Sequence, residues 1–187
     1  MDEVREPSDG RRKEAFALNN EAAVYLREGE PEKALPLLQR AIGLLPDDAS
    51  ILLNLGGAYV LLARHDEAVS VLTRAAEVVP GEAMVWCNLG AALLRLPGER
   101  TDADQLRAIE AFERALDLDP RAPHVAYNLG LIHHDRQEWQ EAVGAFRRAL
   151  DADPSDRDAH ALLQHAEFCL DEQGPQGDGH DQMRRDA

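Results

Sequence analysis

The apolar positions of the chain recur at helical spacing. Within residues 49–82, a first set of apolar or small residues is separated by steps of three, one and three: Leu52, Leu55, Gly56 and Tyr59. A second set follows at steps of four and three: Ala68, Leu72 and Ala75. Both spacings place side chains on one face of an α-helix. The segment therefore predicts two amphipathic helices joined by a short polar break.

This two-helix pattern repeats along the chain. The hexamer NLGGAY, which begins at Asn54, returns 34 residues later as NLGAAL at Asn88. It returns again as NLGLIH at Asn128 after 40 residues, so the third repeat carries six additional residues. Prolines and alanines keep the same steps and define four windows: 15–48, 49–82, 83–122 and 123–156. Repeats of this length form stacked helix pairs, so the sequence predicts an all-α array.

The pattern resembles the tetratricopeptide repeat. The shared features are the 34-residue step, the motif WCNLG from Trp86 to Gly90, two alanines in each second helix and a closing proline, as DP or LP in three of the four windows. The small residue of each first helix also matches: Ala22, Gly56, Gly90 and Gly130. The resemblance covers residues 15–156. It implies a right-handed superhelical α-solenoid of four helix-turn-helix repeats, whose first helices line the concave groove.

The sequence outside the four windows predicts how the array ends. After Pro154, one apolar stripe at helical spacing indicates a further helix over residues 157–173: Ala159, Leu162, Leu163 and Ala166. Such a helix would cap an array spanning residues 11–173. Residues 1–10 and 174–187 are polar or rich in glycine, and we expect them to be disordered.

The six additional residues belong to the segment PGERTDADQLR at 97–107. Thr101, followed three residues later by Asp104, is typical of a helix start. We therefore expect the second helix of this repeat to begin about one turn early. A longer surface loop costs little, so the segment need not have a function of its own.

The charge balance argues against nucleic acid as a partner. The 187 residues carry a formal net charge of −15 at pH 7, whereas phosphate contacts need clustered Lys and Arg. Cys87 and Cys169 are far apart in sequence and lack a metal-type spacing; two such cysteines do not form a disulfide framework, which fits a reducing compartment. No apolar run approaches the roughly 18 residues of a membrane span, and the first ten residues have no signal-peptide core. We therefore expect a cytoplasmic protein that binds neither nucleic acid nor membranes.

The asparagines of the first helices are the candidate binding residues. Asn54 follows Leu52 by two residues and so lies about 200° around the helix, away from the partner helix. Asn costs up to about 0.7 kcal/mol relative to Ala in a helix, which calls for a reason. An amide matches the N–H and C=O groups of an extended backbone. We therefore predict a solvent-facing ladder of amides that contacts a peptide: Asn20, Asn54, Asn88 and Asn128.

The ladder resembles that of the repeats in O-linked N-acetylglucosamine transferase and kinesin light chain, which implies peptide contact. Asparagine is also common at this position across the family without a bound peptide, so both interpretations stay open. Small or apolar residues surround the ladder, and we expect them to line the groove for an apolar segment. Some could instead contact the next repeat. The remaining predicted contacts are Leu53, Gly57, Leu61, Met84, Ala91, Leu94, Arg95, His124, Tyr127 and Leu131.

The sequence offers no pattern typical of a catalytic or metal site. His124 and His134 are ten residues apart, about 15 Å along a helix. His160 and His165 are five apart, a poor spacing for one face. Neither a Gly-rich phosphate loop nor a paired nucleophile and base occurs. We therefore expect no catalytic residue, no metal and no cofactor.

Two functions remain open at this stage. The first is a non-enzymatic adaptor or scaffold, a monomer or weak homo-oligomer, that binds an extended segment of a partner protein through the amide ladder. The second is a structural subunit that self-associates or docks through its edges, the insertion or its convex face.

Overall fold

The computed structural model describes residues 8–94, 101–122 and 124–173, and these residues form helices without strands. Their contacts divide the chain into two compact units, Met1–Ala122 and Pro123–Ala187. The first contains α1 to α6 and the second α7 to α9. The helices are α1 (Asp9–Arg27), α2 (Pro31–Leu44), α3 (Ala49–Leu61), α4 (His65–Val78), α5 (Ala83–Leu93), α6 (Asp102–Leu118), α7 (Val125–Asp135), α8 (Trp139–Ala152) and α9 (Arg157–Gln173).

In the second, third and fourth repeats, a glycine on the first helix faces a large residue on the second. A Cβ added at Gly56 would be closer than van der Waals contact to the side chain of Leu72. A Cβ at Gly90 would lie 2.5 Å from Phe112 in the same way. Leu72 and Phe112 are both buried. The missing side chain therefore lets the two helices of a repeat approach closely.

The core of the first unit is shared between successive repeats. One cluster joins Ala15 and Leu18 of α1 to Ala41 of α2 and Ile51 of α3. A second cluster links the next two repeats: Leu52, Ala75, Ala76 and Val85. First helices also contact the first helix that follows, α1 with α3 and α3 with α5. Each repeat thus buries its apolar face against its neighbour, which is the packing of an α-solenoid.

The third repeat has the helix start that its sequence predicts. The Thr101 side chain accepts a hydrogen bond from the Asp104 N–H at 3.1 Å, and the Asp104 carboxylate accepts one from the Thr101 N–H. This capping box starts α6 at Asp102. The 40-residue step from His65, where α4 begins, leads to position 105, so α6 begins about one turn early. Residues 97–100 of the insertion lie outside the described residues.

In the second unit, α9 covers the helix pair formed by α7 and α8. Ala166 of α9 packs with Trp139, Val143 and Phe146 of α8, and Leu162 and Leu163 border this cluster. The carboxylate of Asp156 accepts hydrogen bonds from the N–H groups of residues 158 and 159, both at 3.0 Å, and so satisfies the first turn of α9. Helix α9 occupies the range in which the sequence predicts a terminal helix.

The N-terminal boundary differs from the expectation. Helix α1 begins at Asp9, inside the range 1–10 for which we expected disorder. The Ser8 carbonyl accepts a hydrogen bond from the Arg12 N–H, and an acidic residue in the first turn favours a helix start. Residues 1–7 and 174–187 lie outside the described residues. Among the described helices, none combines the length and apolar character needed to cross a membrane.

Candidate functional site

The first repeat has a buried amide at Asn19, next to the predicted ladder residue Asn20. Asn19 is only 4% exposed, whereas Asn20 is exposed. The Asn19 Nδ2 donates to the Ser50 hydroxyl at 2.9 Å, and its Oδ1 accepts from the Asn54 Nδ2, also at 2.9 Å. Buried polar groups need such partners. The side chain of Asn19 therefore links α1 to α3.

This link changes the interpretation of Asn54. We expected its amide to face solvent, but the residue is half-buried and one N–H is directed at Asn19 of the preceding repeat. The expectation fails because a position on a helix surface also meets the neighbouring first helix. Asn54 thus has a structural contact in addition to any contact with a ligand.

Asn88 occupies the equivalent position in the next repeat and has different surroundings. The residue of α3 equivalent to Asn19 is Leu53, which offers no amide. The Asn88 side chain instead lies over Gly57, where an added Cβ would be 3.7 Å from its Nδ2. This is an ordinary van der Waals distance, so the Asn88 amide lies next to Gly57 without requiring a glycine there. Asn88 is half-buried, and its amide forms no hydrogen bond with any described residue.

The apolar positions predicted around the ladder are not equally exposed. Leu61 and Met84 are 60% and 45% exposed. Leu61 ends α3, whereas Met84 lies in the first turn of α5. Leu53 is half-buried and packs against the core shared by the second and third repeats. Ala91 and Leu94 are also half-buried, and Arg95 lies outside the described residues.

Cys87 stands next to Asn88 and is half-buried. Burial raises the pKa of its thiol, and the negative charges of Asp119 and Glu82 raise it further. Since the thiolate is the nucleophile and the metal ligand, the raised pKa disfavours the reactive form of this thiol near neutral pH. The surface around Asn88 therefore offers hydrogen bonds and apolar contact rather than covalent chemistry.

Some of the residues predicted to contact a ligand in the second unit pack against other residues of the protein. Tyr127 is half-buried and meets Phe146 edge to face, with ring centroids 6.1 Å apart. Burial raises the pKa of the Tyr127 hydroxyl, and Asp158 and Asp156 add to this effect. Leu131 borders the cluster beneath α9. Asn128 is half-buried, and His124 is exposed at the start of α7.

Two side-chain clusters of the second unit were missed from the sequence. The Glu138 carboxylate contacts His133 Nδ1 at 2.7 Å and accepts a hydrogen bond from Arg136 Nε at 2.7 Å. Burial alone would raise the pKa of Glu138, but these two hydrogen bonds outweigh it and lower the pKa. This cluster fixes the turn between α7 and α8.

The second cluster joins α7 to α9. His134 Nε2 lies 2.9 Å from His165 Nδ1, a contact between residues 31 positions apart. In the sequence, His165 and Cys169 are four residues apart and therefore share one helix face. This spacing does not predict the contact of His165 with His134 on another helix. Within the described residues, no three His, Cys, Asp or Glu side chains are arranged to hold a metal ion.

Solved structures with a similar fold include MamA and YrrB. A crystal structure of MamA has a TM-score of 0.74 at 19% identity, covering 85% of this chain and 84% of that one. MamA from residue 41 to its end, from Desulfovibrio magneticus RS-1, has a TM-score of 0.73 at 24% identity, covering 89% and 88%. YrrB, described as a TPR protein with an unusual peptide-binding site, has a TM-score of 0.70 at 20% identity, covering 86% and 79%. At these identities the similarity shows the fold.

No curated protein sequence matches the chain significantly. Two models of the tetratricopeptide repeat do match it, one over residues 25–93 and the other over residues 106–157. Together they span more than half of the chain, and they include helices of both units. The chain therefore belongs to the tetratricopeptide repeat family.

Proposed function

We propose that this chain is a non-enzymatic protein-interaction scaffold, and that the surface around Asn88 in its first unit binds an extended, apolar segment of a partner protein. The observation that carries the proposal is the Asn88 amide. It is half-buried, yet it forms no hydrogen bond with any described residue. A polar group in such a position gains from a partner, and a peptide backbone supplies both a donor and an acceptor.

Apolar side chains close to Asn88 in sequence support an apolar ligand. Met84 precedes Asn88 by one helical turn and is 45% exposed. Ala91 follows it by three residues and is half-buried, so these positions share one face of α5. An exposed Met is an adaptable apolar contact for a bound segment. YrrB, which has a similar fold, is described as having a peptide-binding site, and this agrees with the proposal.

The other residues predicted to contact a ligand support this proposal to different degrees. Asn54 retains a carbonyl oxygen for a ligand, since its hydrogen bond to Asn19 uses only an N–H group. Asn20 is exposed, so its amide is accessible to a ligand and is little desolvated in the free protein. Leu53 packs against the core, so it supports the proposed binding surface from the protein interior. Asn88 is thus the central contact that we propose, and the contacts in the second unit remain predictions.

The first test is a peptide selection on the full chain. A library of random peptides displayed on phage would be selected on the parent protein, and the affinity of the selected peptides would be measured by fluorescence anisotropy. Asn88→Ala should weaken binding by about 2- to 13-fold, since one net hydrogen bond is worth about 0.5–1.5 kcal/mol. Met84→Glu should lower the affinity for the same peptides. It should not unfold the helix, because position 84 is exposed.

The matched control is Asn20→Ala, which removes an exposed amide of the same kind from another first helix. It should change the affinity less than Asn88→Ala does. Selected peptides that bind Asn88→Ala and Met84→Glu as tightly as the parent would place the docking surface elsewhere and refute the proposal.

A further inference from the structure

Three aromatic rings from three helices meet at one edge of the second unit. His134 comes from α7, Trp139 from α8 and His165 from α9. The two imidazoles are 4.9 Å apart between centroids. Each also meets the Trp139 ring edge to face, at 5.2 Å for His134 and 5.9 Å for His165. The contact between the two imidazoles is therefore one of the points at which α9 is attached to the preceding repeat.

This contact depends on protonation. A hydrogen bond between two imidazole nitrogens requires one to donate and the other to accept, and only a neutral imidazole has an acceptor nitrogen. His134 Nε2 and His165 Nδ1, which are 2.9 Å apart, can therefore share a hydrogen while at least one ring is neutral. When both rings are protonated, both nitrogens are donors and two like charges stand side by side. The contact then becomes repulsive.

The surroundings do not cancel this effect. Burial lowers the pKa of His134, the charge of His165 lowers it further, and Asp135 on α7 opposes both. On α9, the Cys169 sulfur lies 3.9 Å from His165 Nδ1. Glu172 of α9 lines a shallow hollow beside Trp139 and Cys169.

Other charged groups where α8 and α9 meet are engaged in pairs of their own. Arg147 of α8 donates to the Glu167 carboxylate of α9 at 2.7 Å. At the turn between α7 and α8, Glu138 contacts His133 and Arg136. The hydrogen bonds to Glu138 lower the pKa of its carboxyl despite burial, so this carboxylate stays charged under mildly acidic conditions.

We propose that His134 and His165 form a pH-sensitive latch, which fastens α9 to α7 near neutral pH and loosens this helix when both imidazoles are protonated. Because α9 covers Trp139, Val143 and Phe146, loosening it would uncover an apolar flank of α8. The fold would then have an acid-exposed surface that is closed at neutral pH.

The direction of the pH dependence follows from neutral imidazole being favoured in the folded chain. The stabilisation of the folded chain by neutral His134 is fully present above the pKa of an unfolded histidine, about 6.5. It is lost as the pH falls through the lower pKa of the folded His134. Acidification from neutral pH should therefore loosen α9 before the carboxylates titrate.

Hydrogen exchange of the full chain, read by mass spectrometry, tests the latch. The comparison is between about pH 7.5 and about pH 5.0, where Asp and Glu remain largely ionised, after correction for the intrinsic exchange rate. Protection of α9 should fall at acid pH relative to α3, by about tenfold for each unit by which folding lowers the pKa of His134. His165→Gln should abolish this fall, because glutamine can pair with His134 but cannot become charged.

His160→Gln is the matched control, since His160 is an exposed histidine of the same helix that contacts the Pro154 carbonyl. This variant should keep the pH dependence of the parent. His134→Gln also leaves one titratable ring in the pair, so two like charges cannot form, and it should behave like His165→Gln. The latch is refuted if α9 keeps its protection at acid pH in the parent, or if both latch variants lose it as the parent does.

Discussion

Asn54 and Asn88 occupy equivalent positions in successive repeats, but their amides have different partners. Asn54 donates to Asn19, which is almost completely buried. Asn88 lacks such a partner because α3 has Leu53 at the position equivalent to Asn19. The same residue type at the same repeat position can therefore fasten two helices in one repeat and remain available to a ligand in the next.

This difference predicts opposite effects on stability. Asn54→Ala leaves the Asn19 Oδ1 buried without its donor, so the free energy of unfolding should fall by about 1–3 kcal/mol. Asn88→Ala loses no hydrogen bond to a described residue and gains up to about 0.7 kcal/mol of helix propensity, so stability should be kept or slightly raised. Urea unfolding followed by circular dichroism measures both. Equal losses in the two variants would show that the Asn19–Asn54 hydrogen bond contributes nothing.

At the scale of helices, the periodicity of the sequence predicts most of what is found. Residue spacing predicts the two helices of each repeat, and Thr101 with Asp104 predicts the early start of α6. Spacing describes only one helix at a time, however. It gives the direction of Asn54 around α3 but not the reach of its amide to Asn19, 35 residues away. The contact between His134 and His165 was missed for the same reason, since it depends on how separate helices pack.

Helix packing makes two glycines of the second unit respond oppositely to alanine. A Cβ at Gly130 would lie 2.5 Å from Phe146, whereas a Cβ at Gly144 would meet nothing within 4 Å. Gly130→Ala should therefore destabilise the fold by about 1–3 kcal/mol through overpacking. Gly144→Ala should stabilise it by roughly 0.5–1 kcal/mol through helix propensity.

Thermal unfolding of the two variants provides the comparison, and each serves as the control for the other because both changes add one methyl group. Phe146→Leu, which replaces the opposing ring with a smaller side chain, should reduce the loss of stability that Gly130→Ala causes. If Gly130→Ala is as stable as the parent, the close approach of α7 and α8 does not depend on this glycine.

At the scale of the whole molecule, shared apolar cores rather than ion pairs hold the helices together. The ion pairs Arg40–Glu14, Arg74–Asp47 and Arg147–Glu167 have exposed side chains, and such pairs contribute about 0–1 kcal/mol each. By contrast, Phe112, Phe146 and Leu38 are among the largest fully buried side chains. Within the first unit each repeat therefore depends on an apolar neighbour, and in the second unit the last repeat depends on α9.

Two truncations should separate the contribution of α9 from that of the residues after it. Removing residues 174–187 should change the midpoint of thermal unfolding little, because that polar sequence offers little apolar surface to bury. Removing residues 157–187 also removes the side chains that pack on Trp139 and Phe146. This should cost at least about 2 kcal/mol, given about 1.5–3 kcal/mol for one buried Leu-sized side chain. Equal midpoints for the two truncated proteins would contradict the covering role of α9.

The capping box at Thr101 has a consequence for protein engineering. Helix α6 carries its own start signal, because Thr101 and Asp104 satisfy each other's backbone N–H groups. Its beginning is therefore independent of how long a connection precedes it, and the entropy cost of lengthening that connection grows only logarithmically. The positions just before Thr101 are thus suited to accept a guest domain or a reporter peptide while the flanking helices keep their register.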